Sequence, residues 1–207
     1  MENLFLMVLR FAALVPAIMI HEIAHGYAAL WCGDTTARDA GRLSFNPLRH
    51  VDPFMSVVLP LVLILSGSSV VFGGAKPVPV DIYRCRDPKK AYWITAIAGP
   101  ASNLAQAAVG ALLFHVGLPW MPDWVLYFLL SYVVTNVALM VFNLVPVPPL
   151  DGSRVVTVLL PPRLAWRYAQ LERYGMFAIF ALLYVPAFNR LIGRLIVRVL
   201  GLLGMLG

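Results

Sequence analysis

Long apolar runs decide what this 207-residue chain can become. Crossing a hydrocarbon core of ~30 Å takes roughly 20 apolar residues in a helix. Residues 4–31, 91–118 and 124–150 reach that length. Residues 54–72 are borderline, and a fifth run opens near Tyr174 and loses definition beyond Pro186. A soluble globule of this size has no interior large enough to hide such runs. The hydrophobic fraction is 60% and the charged fraction 13%, against ~25% charged in ordinary soluble domains. Disorder needs the opposite composition. The expected fold class is an all-α polytopic membrane protein with about four to six transmembrane or re-entrant helical segments. The chain reads as one integral-membrane domain over 1–207, with a core at 4–154 and C-terminal helices at 170–207. The first run is too long for a signal-peptide core and carries ionisable residues that no signal needs, so it reads as mature structure.

The charges sort by gap. Arg38, Arg42 and Arg49 follow the first run, and Lys76, Arg84, Arg86, Lys89 and Lys90 precede the third. Arg154, Arg163, Arg167 and Arg173 follow the fourth, whereas the gap 119–123 has neither Lys nor Arg. This distribution explains the net charge of +6 as membrane topology and anionic-lipid contact, not nucleic-acid binding. If 54–72 is re-entrant or lies against the other helices, all three basic gaps share one side and the N-terminus is external. If it spans, they do not. Trp31, Trp93, Trp120, Trp124 and Trp166 fall at the expected boundaries, as interfacial aromatics do. Cys32 and Cys85 match no metal-ligand spacing and read as free thiols in a reducing compartment. Arg190, Arg194 and Arg198 form one stripe, for which an interfacial helix is the preferred reading and a last tilted span the alternative.

The most informative residues are His21-Glu22-Ile23-Ala24-His25, inside the first apolar run. Residues four apart lie one turn above each other on a helix, so His21 and His25 can grip one Zn²⁺. Glu22 is rotated out of the ligand line and can act as general base towards a water, the division of labour of an HExxH zinc peptidase. A glutamate at bilayer depth costs ~2.5 kcal/mol or more without compensation, and a metal gives the three ionisable groups a shared reason. A catalytic zinc usually takes a third protein ligand. Most of the ten acidic residues sit in basic gaps or at termini; Asp151 ends the proline-broken segment 143–152. Such a segment at membrane depth should line a cavity. Asp151 is the candidate third ligand, and it can also serve as a helix N-cap. The two histidines and Asp151 can meet only in the topology that places all three basic gaps on one side.

HEIAH in the first run, AGPASN at 98–103 and NLVPVPPLDG at 143–152 together resemble the three signatures of the site-2 protease family of intramembrane zinc metalloproteases. The segments GRLSFNPLRHVDP and AKPVPVDIY resemble a compact subgroup of that family without PDZ or CBS domains. The resemblance runs from the first apolar run to about Arg154. It implies His21, His25 and Asp151 as ligands of one Zn²⁺ per chain, Glu22 as the water-activating residue and Asn143 as a contact to substrate backbone. It places Gly99, Pro100 and Asn103 in a helix-packing motif beside the site, where close packing is the preferred role of Gly99.

The function expected from these residues is hydrolysis of peptide bonds in or near transmembrane segments of membrane-protein substrates. With the charge count, the resemblance implies a prokaryotic cytoplasmic (inner) membrane and a site towards the cytoplasmic side. The partners are the lipid bilayer and a substrate with a transmembrane helix; nucleic acid is not one. The competing readings are a zinc-dependent membrane hydrolase of a non-protein substrate and a proton or metal transporter. His50 reads as solvated or interfacial, and His115 has no assigned role. A substrate helix must unwind before attack, and an exposed strand edge would hold it extended. Residues 42–45 and 77–83 alternate suitably, so short strand-like segments are expected near the site, with Leu43 and Ser44 as substrate contacts. Proline at Leu43 or Ser44 is expected to lower peptide cleavage while bound zinc, measured by elemental analysis, stays constant. Unchanged turnover would remove the strand-edge role.

Overall fold

A computed structural model describes residues 4–52, 58, 62 and 76–206. Among them, α1 (Leu4–Cys32), α3 (Pro88–Gly117) and α4 (Asp123–Asn143) are long and apolar enough to cross a membrane. A short helix α2 (Thr36–Asp39) follows α1. The chain continues beyond α4 as α5 (Asp151–Leu159), α6 (Pro162–Ala169), α7 (Glu172–Leu183) and α8 (Pro186–Leu202). The polytopic all-α expectation therefore holds. The fourth apolar run extends to about Leu150, but its helix stops at Asn143, where the proline-broken segment begins, as expected. Pro146, Pro148 and Pro149 remove amide donors and restrict the residues before them.

The long helices α1, α3 and α4 pack against one another, and their interfaces use small residues. Ala96, Gly99, Ala107, Gly110 and Ala111 are buried on α3, while Val109, Leu112 and Leu113 are exposed. That inverts a soluble protein's pattern: in lipid there is little hydrophobic drive between helices, so close backbone approach and polar links hold them. A Cβ on Gly110 would lie 2.9 Å from Val133 Cγ2 on α4. The Tyr132 hydroxyl donates to Gln106 Oε1 at 2.6 Å, and Asn103 Nδ2 donates to Asn136 Oδ1 at 2.8 Å.

Two contacts set the helix directions. Arg10 Nε, near the start of α1, donates to Tyr127 Oη, near the start of α4, at 2.8 Å. The Arg86 amide, just before α3, donates to Cys32 O at 3.3 Å. Helices α1 and α4 thus run parallel and α3 runs against them. The Lys76 amide donates to His50 O at 2.8 Å, so the chain leaves and returns at one point between these residues. This adjacency is the geometry that the one-sided arrangement of basic gaps requires. The apolar run 54–72 itself lies outside the described residues except for Val58 and Val62.

Two expectations change. The segments 42–45 and 77–83 form no strand among the described residues; residues 76–81 run as irregular backbone into a 3₁₀ turn at Ile82–Arg84. His50 is buried, not solvated, because the turn at Pro47–Arg49 folds it inward, where Nε2 donates to Ser44 O at 2.8 Å. The arginine stripe lies on α8, which the bundle core holds through Ile192, Ile196, Val199 and Leu200. The end of α8 reaches the far end of α3, where the His115 ring donates to Leu203 O at 3.3 Å. The helix is thus packed against the bundle along one face. Arg190, Arg194 and Arg198 stay exposed on its other face. Cys32 and Cys85 are free thiols, as expected.

Asp34 ties the end of α1 to the segment before α3. Its Oδ1 accepts from the Thr36 amide at 2.9 Å and hydroxyl at 2.5 Å, and its Oδ2 accepts from the Asp81 amide at 2.7 Å. Burial pushes this carboxyl up, but the donors from Thr36 and Asp81 outweigh it and hold the group below its ordinary value. A depressed folded pKa contributes stability above the unfolded pKa of ~3.9, and that stability is lost as pH falls through the folded value. Asp34→Asn offers only one oxygen to three donors and is expected to cost about 1–3 kcal/mol. Thermal unfolding in detergent checks this: the gap from wild type should be constant above pH ~5 and shrink below ~4.

Candidate metal centre

The sequence around the centre allows helices to approach unusually closely. His21 and His25 lie one turn apart on α1 and are both buried. Gly99 of α3 faces them: a Cβ there would sit 2.5 Å from His21 Cε1 and 2.6 Å from His21 Nε2. Gly99 is therefore the floor of the centre as well as a packing glycine. Asp151 is the first residue of α5, and Leu150 occupies the N-cap position. Beside it, a Cβ on Gly152 would meet Val145 O at 2.7 Å, so only glycine lets α5 start against the unwound 144–150 segment. That segment is held from outside by the Tyr168 hydroxyl, which donates to Pro146 O at 2.8 Å.

Three atoms converge. His21 Nε2 and His25 Nε2 are 3.0 Å apart, and each lies 3.2 Å from Asp151 Oδ2. The other ring nitrogens identify the tautomer. His21 Nδ1 lies 2.6 Å from Asn103 Oδ1, and His25 Nδ1 lies 2.7 Å from Thr95 O. Both partners are carbonyl oxygens and can only accept, so each Nδ1 carries the proton and each neutral ring presents its lone pair at Nε2. Asp151 Oδ2 is buried and, among the described residues, receives no hydrogen bond. Two nitrogen lone pairs and a carboxylate oxygen facing one another out of water repel, and a bound cation removes the conflict. Ligand atoms around a tetrahedral zinc with bonds of ~2.0–2.1 Å stand about 3.3–3.4 Å apart. The observed triangle and its two-nitrogen, one-oxygen donor set fit such an ion.

Further residues orient the ligands. Asn136 Nδ2 donates to Tyr132 O at 2.9 Å, Asn103 Nδ2 donates to Asn136 Oδ1, and Asn103 Oδ1 receives the His21 proton. Arg154, one turn beyond Asp151, brings Nη1 to 3.9 Å from Asp151 Oδ1. The family resemblance puts Asn103 in a packing motif, and the sequence assigns Thr95 and Asn136 no role. For Asn103 and Asn136 polarity signals that a partner is needed, since amide side chains inside apolar helices must find one; Thr95 acts through its backbone carbonyl, which no residue type marks.

The remaining expected residues are placed as follows. Glu22 is half-buried next to the ligands, and its Oε2 accepts from the Val78 amide at 2.9 Å. Asn143 ends α4, and its Nδ2 donates to Leu139 O at 3.0 Å; no hydrogen bond joins it to the three-atom cluster among the described residues. Leu43 packs over Gly26 of α1, where a Cβ would lie 2.5 Å from Leu43 Cδ2. The Ser44 carbonyl is taken by His50, and its Oγ accepts from the Asn46 amide at 3.2 Å.

Comparison with known proteins agrees with this chemistry. The chain is 36% identical over 179 residues to YwhC of Bacillus subtilis, a protein named as a zinc metalloprotease, covering 83% of this chain and 78% of that one. It is 29% identical over 187 residues to Rip2 of Mycolicibacterium smegmatis, named likewise, covering 88% and 69%. It is 28% identical over 194 residues to Rip2 of Mycobacterium tuberculosis, covering 90% and 70%. No family model and no solved structure matches. The chain belongs to the zinc metalloprotease family of these relatives.

Gly99→Ala tests the close approach. Its methyl group displaces the two imidazoles, and metal affinity measured by competition with a chromophoric chelator should fall on the order of 10–100-fold. Helix content by circular dichroism should stay at the wild-type level.

Proposed function

We propose that this protein is an intramembrane zinc endopeptidase of the site-2 protease type, which hydrolyses peptide bonds in or near transmembrane segments of membrane proteins. One observation carries the reading: three buried lone-pair atoms of His21, His25 and Asp151 converge within 3.2 Å. They do so where helices long enough to cross a membrane meet. Zinc held there supplies Lewis acidity towards a scissile carbonyl and acidifies water. Glu22 takes the proton of the attacking water and passes it to the leaving amine. Asn103 and the Thr95 carbonyl keep both imidazoles in the metal-binding tautomer. Asn143, at the end of α4, contacts the substrate backbone. The basic gaps support a centre towards the cytoplasmic side of an inner membrane.

The test combines zinc quantitation with cleavage of a transmembrane peptide in nanodiscs. Glu22→Gln should retain one zinc per chain and lose about 10²–10⁴-fold in cleavage. His21→Ala and Asp151→Ala should lose the metal. Equal cleavage by wild type and Glu22→Gln would overturn the role of Glu22. Absence of metal from every preparation would remove the centre.

A further inference from the structure

The bond from the Val78 amide to Glu22 points to a role for the segment before α3. In the run Lys76-Pro77-Val78-Pro79, the two prolines have no N–H, so residues 77–79 offer one backbone donor. That donor lies 2.9 Å from Glu22 Oε2. The prolines also hold Lys76 and Val78 in extended backbone. The segment is anchored on both sides of the donor. Before it, Arg42 Nη2 donates to Lys76 O at 2.6 Å and to Pro77 O at 3.3 Å. Arg42 is 9% exposed, an unusual burial for a guanidinium, and its Nη2 is spent on these two carbonyl oxygens. After it, Asp34, fully buried, accepts from the Asp81 amide. The Val78 side chain fills the notch over Gly26, one turn beyond Glu22, where a Cβ would sit 2.9 Å from Val78 Cγ1.

We infer that residues 76–81 form a strap that positions Glu22, with the Val78 amide holding one carboxylate oxygen and Arg42 setting the strap's height. The held oxygen fixes the rotation of the carboxylate and leaves the other for a reacting water. A glutamate on a flexible side chain otherwise samples several rotamers, and misplacing a proton-transfer group slows the chemical step without altering substrate affinity. Val78 and Arg42 are thus positioning residues. The inference rests on the reading of Glu22 as general base.

The direct experiment replaces the Val78 amide by an ester, incorporating α-hydroxyvaline in the full-length protein. This removes the N–H and keeps every side chain. With the same transmembrane peptide, kcat should fall about tenfold or more, KM should stay within about twofold, and zinc content should be unchanged. Arg42→Ala should lower kcat in the same way, and Arg42→Lys, which keeps a cation able to reach the two carbonyls, should recover most of it. A wild-type kcat for the ester overturns the inference. A raised kcat also overturns it, because the strap would then shield the base. Zinc loss in the ester protein does so as well, by making the contact structural. Full cleavage by Glu22→Gln would instead sink the general-base reading beneath it, so the two failures are distinguishable.

Discussion

The conflict between two imidazole lone pairs and a carboxylate oxygen is the constraint on which the molecule depends. Bringing His21, His25 and Asp151 within 3.2 Å requires α1 and the start of α5 at one end of the bundle. It requires a missing Cβ at Gly99 and another at Gly152. It also requires that both Nδ1 protons be spent on fixed carbonyl oxygens. The demands are met by α1, α3 and α5 together, so the centre is a property of the assembled helices. In a low-dielectric interior such a cluster is costly when empty and strongly favourable around a cation.

Part of this was legible in the sequence because it is local. Helical periodicity alone places His21 and His25 on one face, and length alone identifies the three long helices. Asp151 was legible by a chain of exclusions, since few acids remain once the basic gaps are accounted for. Thr95 and Asn136 were not legible. A threonine carbonyl looks like any other carbonyl, and an asparagine reveals its role only when a neighbouring helix supplies the partner. The Val78 amide was hidden for the same reason: 56 residues separate it from Glu22.

The misread elements share one physical cause. His50 lies in a gap rich in cations, so composition suggests water, yet the turn at Pro47–Arg49 buries it. The alternation at 77–83 suggests a strand, yet its prolines and the pull of Arg42 on the carbonyls of Lys76 and Pro77 favour a strap without a ladder. In each case the local pattern was real and a tertiary contact outranked it.

The line of amides from Tyr132 through Asn136 and Asn103 to His21 joins α4, α3 and α1. These links glue the helices and also select the imidazole tautomer. A freshly inserted α1, lacking α3, has both ring nitrogens of His21 free to exchange protons and no Asp151 beside them. Assembly of the bundle and competence of the centre are therefore one event. Until the helices meet, the three ligand atoms of His21, His25 and Asp151 are not together, and there is nowhere for the metal to be held.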